Sequence, residues 1–204
     1  MNSKILYFLF YSFMLSACTQ EKIEQLPYIG FHQVNGKDTI HYTIPAFTFY
    51  NQDSLPIDNN DLSGSIYLAD FFYTSCPSVC PKVQNQLLYL YDHYEKKSKV
   101  KFISFALDPK RDDVANLKDY ADNIGASDGR WHFLTGDKFK LWELAEAYLI
   151  SVRQDEEEPG GIYHSGKIIL VDELGHIRAF ADGTKAEEVE DLIAKIDLLL
   201  SRKE

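Results

Sequence analysis

"SIYLADFFYTSCPSVCPKV", residues 65–83, opens as an almost unbroken apolar run and closes as the beginning of a helix. Its first half, residues 65–73, is rich in aromatic side chains and has no polar face, the pattern of a strand covered on both sides. The second half holds two cysteines, Cys76 and Cys80, each followed by proline. A spacing of four would set both thiols on one helical face, but Pro77 and Pro81 bias the residues before them away from the α region. The pair is therefore expected in a turn, with Pro81 as the first helical residue. At a helix N-terminus, free amides and the positive end of the helix dipole favour thiolate over thiol.

The pattern continues on both sides of this stretch. Val83, Leu87, Leu90, Tyr91 and Tyr94 form a helical stripe, and "VKFISFAL", residues 100–107, is a second buried strand. Strand, helix, strand is a parallel crossover. A second helix is expected over 112–124, with Gly125 as its stop. "WHFLT" at 131–135 is a third strand, and Asp137 caps a helix over 138–149. Residues 155–158 form an acidic loop before "PGG". Residues 167–172 and 176–180 pair as a hairpin, and a capping box of Thr184 and Glu187 opens the last helix. Upstream, "IPAFTFYNQDSLPI", residues 44–57, reads as two short extended segments around a turn at 51–54. These elements predict one α/β domain, a central mixed sheet flanked by helices, preceded by an N-terminal extension.

The N-terminus has a different character. "MNSKILYFLFYSFMLSACTQ" joins an early Lys4, an apolar run at 5–15 and small residues before Cys18, the pattern of an export signal. Eleven residues rise about 16 Å as a helix, against roughly 30 Å of bilayer hydrocarbon, so the run is too short to span. "LSAC" resembles the bacterial lipobox, which makes 1–17 a signal peptide, Cys18 a lipid-modified N-terminus, 18–43 a tether with little fixed structure, and 44–204 the domain. A lipid-anchored protein of the cell envelope, facing the periplasm, is the expected result. Cleavage there removes both methionines, leaves Cys76 and Cys80 as the thiols, and takes the formal charge from −10 to −11 by loss of Lys4. A chain that acidic is unsuited to nucleic acid, which rewards phosphate neutralisation, and has no polybasic membrane patch.

Two thiols four positions apart admit several chemistries. A disulfide across so small a loop removes little unfolded-state entropy. A structural zinc site needs four protein ligands, and no second cysteine pair or matching histidine pair exists. As a redox couple, Cys76 would attack a partner disulfide and Cys80 would resolve the mixed disulfide. Cu(I), a soft ion content with few ligands, suits two thiolates and one imidazole. Among the six histidines, His164 follows the flexible Gly160 and Gly161 and precedes a buried strand, while His132 competes from another strand start. Residue chemistry alone leaves that choice open.

"FFYTSCPSVCP", "ISFALDPKRDD", "WHFLTG" and "YHSGKIILVDELG" occur in this order, and together they resemble the Sco/SenC family of thioredoxin-fold copper chaperones over about residues 44–200. The resemblance implies a thioredoxin-like fold, and copper, as Cu(I) or Cu(II), held by Cys76, Cys80 and His164. It further implies delivery of copper to the binuclear centre of cytochrome c oxidase, or maintenance of that centre's thiols. The implied partners are the copper-accepting oxidase subunit and a thiol reductant. Thiol-disulfide oxidoreductase is the alternative activity. Ser78 stands where the family commonly has Asp, and Phe72 where Gly is frequent; neither position is a ligand.

Overall fold

The computed structural model describes residues 25–126 and 128–201; the leader and Cys18 lie outside the described residues. A small hairpin comes first, β1 (Gln33–Asn35) and β2 (Asp38–Ile40), then a second, β3 (Thr48–Tyr50) and β4 (Pro56–Asp58), followed by the one-turn α1 (Asn59–Leu62). The domain proper runs β5 (Ile66–Phe72), α2 (Cys80–His93), β6 (Val100–Ala106), α3 (Val114–Ile124), β7 (Trp131–Leu134) and α4 (Lys138–Ala147). After a third hairpin, β8 (Val152–Gln154) and β9 (Ile162–His164), come β10 (Lys167–Val171), β11 (Ile177–Asp182) and α5 (Ala186–Leu200).

Five strands form the central sheet in the order β11-β10-β5-β6-β7. β5, β6 and β7 are parallel, and β10 is antiparallel to both β5 and β11. Every residue of β5 is buried, as its almost unbroken apolar run, interrupted only by Asp70, requires of a strand covered on two faces. One face meets α4 and the β3–β4 hairpin: Phe71 stacks on Phe105, and both reach Tyr148, while Phe47 and Phe49 meet Phe105 edge-on. The other face carries Phe72, Phe102, Trp131 and Phe133, packed against Tyr91 of α2 and Tyr120 of α3. The two crossover helices thus lie on one side of the sheet, where α5 also contacts α2.

Several boundaries differ from expectation. Helix α2 begins at Cys80, one residue before Pro81, and Val79 ahead of it already has α-region dihedrals. Pro81 needs no amide hydrogen at its place in the first turn, so it continues the helix. The capping box at α5 does not form. Lys185 occupies the cap position without a side-chain capping bond, Thr184 Oγ1 donates to Asp182 at 2.7 Å, and Glu188, not Glu187, accepts from the Asp182 amide at 2.8 Å. By contrast, Asp137 caps α4 through the Lys140 amide, and Gly125 ends α3 in the left-handed region at φ 78°.

The described part of the expected tether is structured. Besides the β1–β2 hairpin, residues 26–29 lie along the edge of β11, with the Ile29 amide donating to Ile177 O at 2.9 Å. Arg178 holds them there: Nη1 donates to Asp172 at 2.7 Å, Nε to Pro27 O at 2.9 Å, and Nη2 to Leu26 O. Its guanidinium also lies 4.0 Å from the Tyr28 ring centroid. A fully buried guanidinium is costly unless its donors are satisfied, and here three of them are. The strap covers an edge strand that would otherwise offer unpaired backbone.

Candidate metal centre

Cys76, Cys80 and His164 converge at the start of α2, with their ligand atoms all within 4.8 Å of one another. Each is buried, at 6%, 5% and 7% exposure, and both cysteines are free thiols. Cys76 sits in the turn that follows β5, closed by its amide donating to Tyr73 O at 3.1 Å. Cys80 opens α2, and His164 ends β9, where its register partner is Val152 of β8. The histidine is thus fixed in a short antiparallel strand rather than at the end of a flexible loop.

Geometry sets the state of each donor. His164 Nδ1 lies 3.3 Å from Ser165 O and Nε2 lies 3.3 Å from Cys80 Sγ. A proton on Nδ1 donated to that carbonyl leaves Nε2 with its lone pair facing the thiols. Burial lowers the affinity of His164 for a second proton, opposed by the Ser165 carbonyl. For Cys76, burial raises the pKa, but the backbone amides of Cys80 and Ser78 and the thiol and hydroxyl beside them outweigh it, leaving the thiol at about 7. Burial pushes Cys80 well up, helped by the neighbouring Cys76. The surroundings therefore favour the thiolate at Cys76 and disfavour it at Cys80. Two sulfurs and a neutral imidazole, buried and within reach of a single ion, make a donor set suited to a soft, low-coordinate metal.

The aromatic and glycine residues around the site explain the approach. Tyr73 presents its ring edge-on to His164, with centroids 5.6 Å apart, and its hydroxyl donates to Pro159 O at 2.8 Å. A Cβ at Gly160 would fall 2.6 Å from that ring, at a φ of +101° that only glycine adopts easily. Gly166, between β9 and β10, matters more: a Cβ there would lie 2.5 Å from Val79 and 3.2 Å from Val83. Its bareness lets the histidine-bearing turn rest on the first turn of α2. Gly166→Ala is expected to lift that turn, weakening metal binding and costing about 1–3 kcal/mol of stability. Denaturant melts beside a copper-chelator competition check both effects.

His132 lies elsewhere. It pairs with Ile103 across β6 and β7, and its Nδ1 is 3.2 Å from the Asn51 amide nitrogen. His41 and His176 pack on Tyr28 at the N-terminal strap, His32 meets His41 edge-on, and His93 packs between Tyr89 and Tyr94. None of them joins the group at α2. Gly166 and Asp112 lie in the "HSGK" and "PKRDD" strings, which have no periodicity that would single out either residue's role at the site.

Fold and site together define a thioredoxin-like domain with a two-thiol, one-imidazole group at the N-terminus of its first crossover helix. Residues 36–201 match the sequence model of the SCO1/SenC family, and the chain belongs to that family. A SCO1 protein homolog of Bacillus subtilis is 32% identical over 168 residues, covering 78% of this chain and 84% of its own. The crystal structure of a SCO1/SenC family lipoprotein from Bacillus anthracis superposes with a TM-score of 0.72 at 28% identity, over 78% of this chain and 96% of its own. BsSco, described as a member of the Sco family of cytochrome c oxidase assembly proteins and as having a disulfide switch, gives 0.70 at 29%, over 79% and 95%. ScoI of Arabidopsis thaliana, solved with copper bound, shares the fold at 21% identity and a TM-score of 0.65, over 78% and 98%. Among the described residues, no helix is long and apolar enough to cross a membrane.

Proposed function

We propose that this chain takes up one copper ion at Cys76, Cys80 and His164 and hands it to the copper-accepting subunit of cytochrome c oxidase, with copper as cargo. The observation that carries the reading is the convergence of two thiols and one imidazole within 4.8 Å, all buried. His164, with Nε2 turned to Cys80, is a feature that thiol exchange does not need and metal retention does. Family membership, and relatives described as copper-bound and as oxidase assembly proteins, support the cargo and the recipient. Lipid attachment at Cys18, which the relative from Bacillus anthracis described as a lipoprotein supports, would hold the domain against a membrane of the cell envelope, with the periplasmic side as the proposed location.

One observation favours a second reading, thiol-disulfide exchange: Cys76 and Cys80 are both free thiols and lie together at the start of α2, where backbone amides favour the Cys76 thiolate and burial disfavours that of Cys80. Cys76 as thiolate would attack a partner disulfide, releasing one partner thiolate. Cys80 would then displace the second, leaving a Cys76–Cys80 disulfide that an external thiol reductant restores. The same pair, kept reduced by that reductant, also serves copper loading.

Copper titration of wild type, His164→Ala and His132→Ala separates the two. Thiolate-to-Cu(II) charge transfer should give intense absorption in wild type and His132→Ala, while His164→Ala loses most of its affinity and changes its spectrum. Cu(I), with a filled d shell, should be nearly colourless in the visible. Full affinity and an unchanged spectrum in His164→Ala, with disulfide reductase activity dependent only on the cysteines, would give the function to exchange.

A further inference from the structure

The string "DPKRDD", residues 108–113, lies at the C-terminal end of β6, and the chemistry of the site does not use it directly. Asp112 within it is fully buried, at 0% exposure. A carboxylate so deep needs its oxygens satisfied, and both face one residue. Thr74 donates its amide to Asp112 Oδ1 and Oδ2 at 3.3 and 3.2 Å, and its hydroxyl to Oδ1. Thr74 lies two residues before Cys76, inside the turn closed by the Cys76 amide on Tyr73 O.

Asp112 is itself held from two directions. Its amide donates to Asp108 O at 2.8 Å, and its carbonyl accepts from Thr135 Oγ1 at 2.7 Å at the end of β7. Beside it, Arg111 Nη1 reaches Ser75 Oγ at 3.3 Å while pairing with Asp108 at 3.6 Å. The loop after β6 therefore grips two consecutive residues, Thr74 and Ser75, immediately ahead of the first thiol. Burial raises the Asp112 carboxyl above the usual carboxylate range, and the Thr74 donors offset part of that.

We propose that Asp112 is a positioning residue for the metal centre: its carboxylate clamps Thr74 and so fixes the turn that aims Cys76 at Cys80 and His164. Among the described residues Asp112 joins no group that could itself hold an ion, so its effect on the centre passes through Thr74. Partners one step behind a metal ligand typically contribute about 10–100-fold to metal affinity, and this clamp should fall in that range. The affinity arm of the test rests on the copper reading; the exchange arm does not.

Wild type, Asp112→Ala, Thr74→Val and the double variant are compared in two measurements. Cu(I) affinity by chelator competition should fall roughly tenfold or more in Asp112→Ala, several-fold in Thr74→Val, which keeps the Thr74 amide on the carboxylate, and no further in the double variant than in Asp112→Ala. Amide hydrogen exchange of metal-free protein should quicken at residues 74–78 and stay unchanged in β5, β6 and α5. If Asp112→Ala does not fold, Thr74→Val, which removes only a hydroxyl, carries both arms. Affinity within twofold of wild type in Thr74→Val, additive losses in the double variant, or exchange raised throughout the domain would each overturn the proposal. If wild type itself binds no copper the copper reading fails, while local quickening at 74–78 would still uphold the clamp.

Discussion

Closing Cys76 and Cys80 into a disulfide is expected to lower copper affinity on the order of a thousandfold or more, because the ligand form of cysteine is the thiolate. In the reduced chain three donors face one another within 4.8 Å. Oxidation takes two of them at once, and leaves a single buried imidazole whose Nε2 has lost its neighbouring thiol. By the tenfold-per-1.4 kcal/mol scale such a loss is roughly 4 kcal/mol, which two charged sulfur ligands readily supply. Metal loading and disulfide formation therefore exclude each other at this site. Chelator competition on reduced and oxidised chain, with thiols counted in each sample, makes the comparison. An oxidised chain that keeps its copper would end both the ligand assignment and the exclusivity.

Much of this geometry was legible in the chain because it is written in local patterns. The almost unbroken apolar run at 65–73 has the pattern of a strand covered twice, and the following stripe through Val83, Leu87 and Leu90 that of its crossover helix. Pro81 marked the helix start to within one residue. What was not legible was contact between distant segments. Whether His164 or His132 faces the thiols depends on which strand end lies over α2, and residue chemistry by itself does not fix that order. Gly166 owes its role to Val79, 87 positions earlier, and Asp112 owes its role to Thr74, 38 positions earlier. The strap at residues 26–29 was hidden for the same reason, since a polar, aperiodic segment gives no sign that Arg178 will bind its carbonyls. At α5 the capping-box spacing was present, yet Asp182 took the Thr184 hydroxyl, a local competition that spacing does not resolve.

Asp70→Asn is expected to remove a pH dependence from the stability of the domain and to stabilise it by about 4 kcal/mol above neutrality. Asp70 is 2% exposed in the middle of β5, where Ser104 Oγ donates to Oδ1 at 2.5 Å and Gln84 Nε2 to Oδ2 at 3.0 Å. Burial pushes its carboxyl up to about 7, and the Ser104 bond offsets only part of that. In the unfolded chain the same group titrates near 4, as an ordinary aspartate does. Below about pH 4 both states carry the proton and the contribution to stability is fully present. Between about 4 and 7 the native state keeps a proton that the unfolded state has released, so stability falls by about 1.4 kcal/mol for each pH unit. Above about 7 the native carboxyl has ionised as well, and the loss is complete. An asparagine at this position is neutral throughout. Its carbonyl can accept from Ser104, and its amide can donate to Gln84 Oε1, which has no partner among the described residues. The difference between variant and wild type in urea melts should thus be small at pH 4 and climb to a plateau near pH 8. A difference curve that stays flat across that range would show that Asp70 is ionised in the core at low pH, held there by its two donors against the cost of burial.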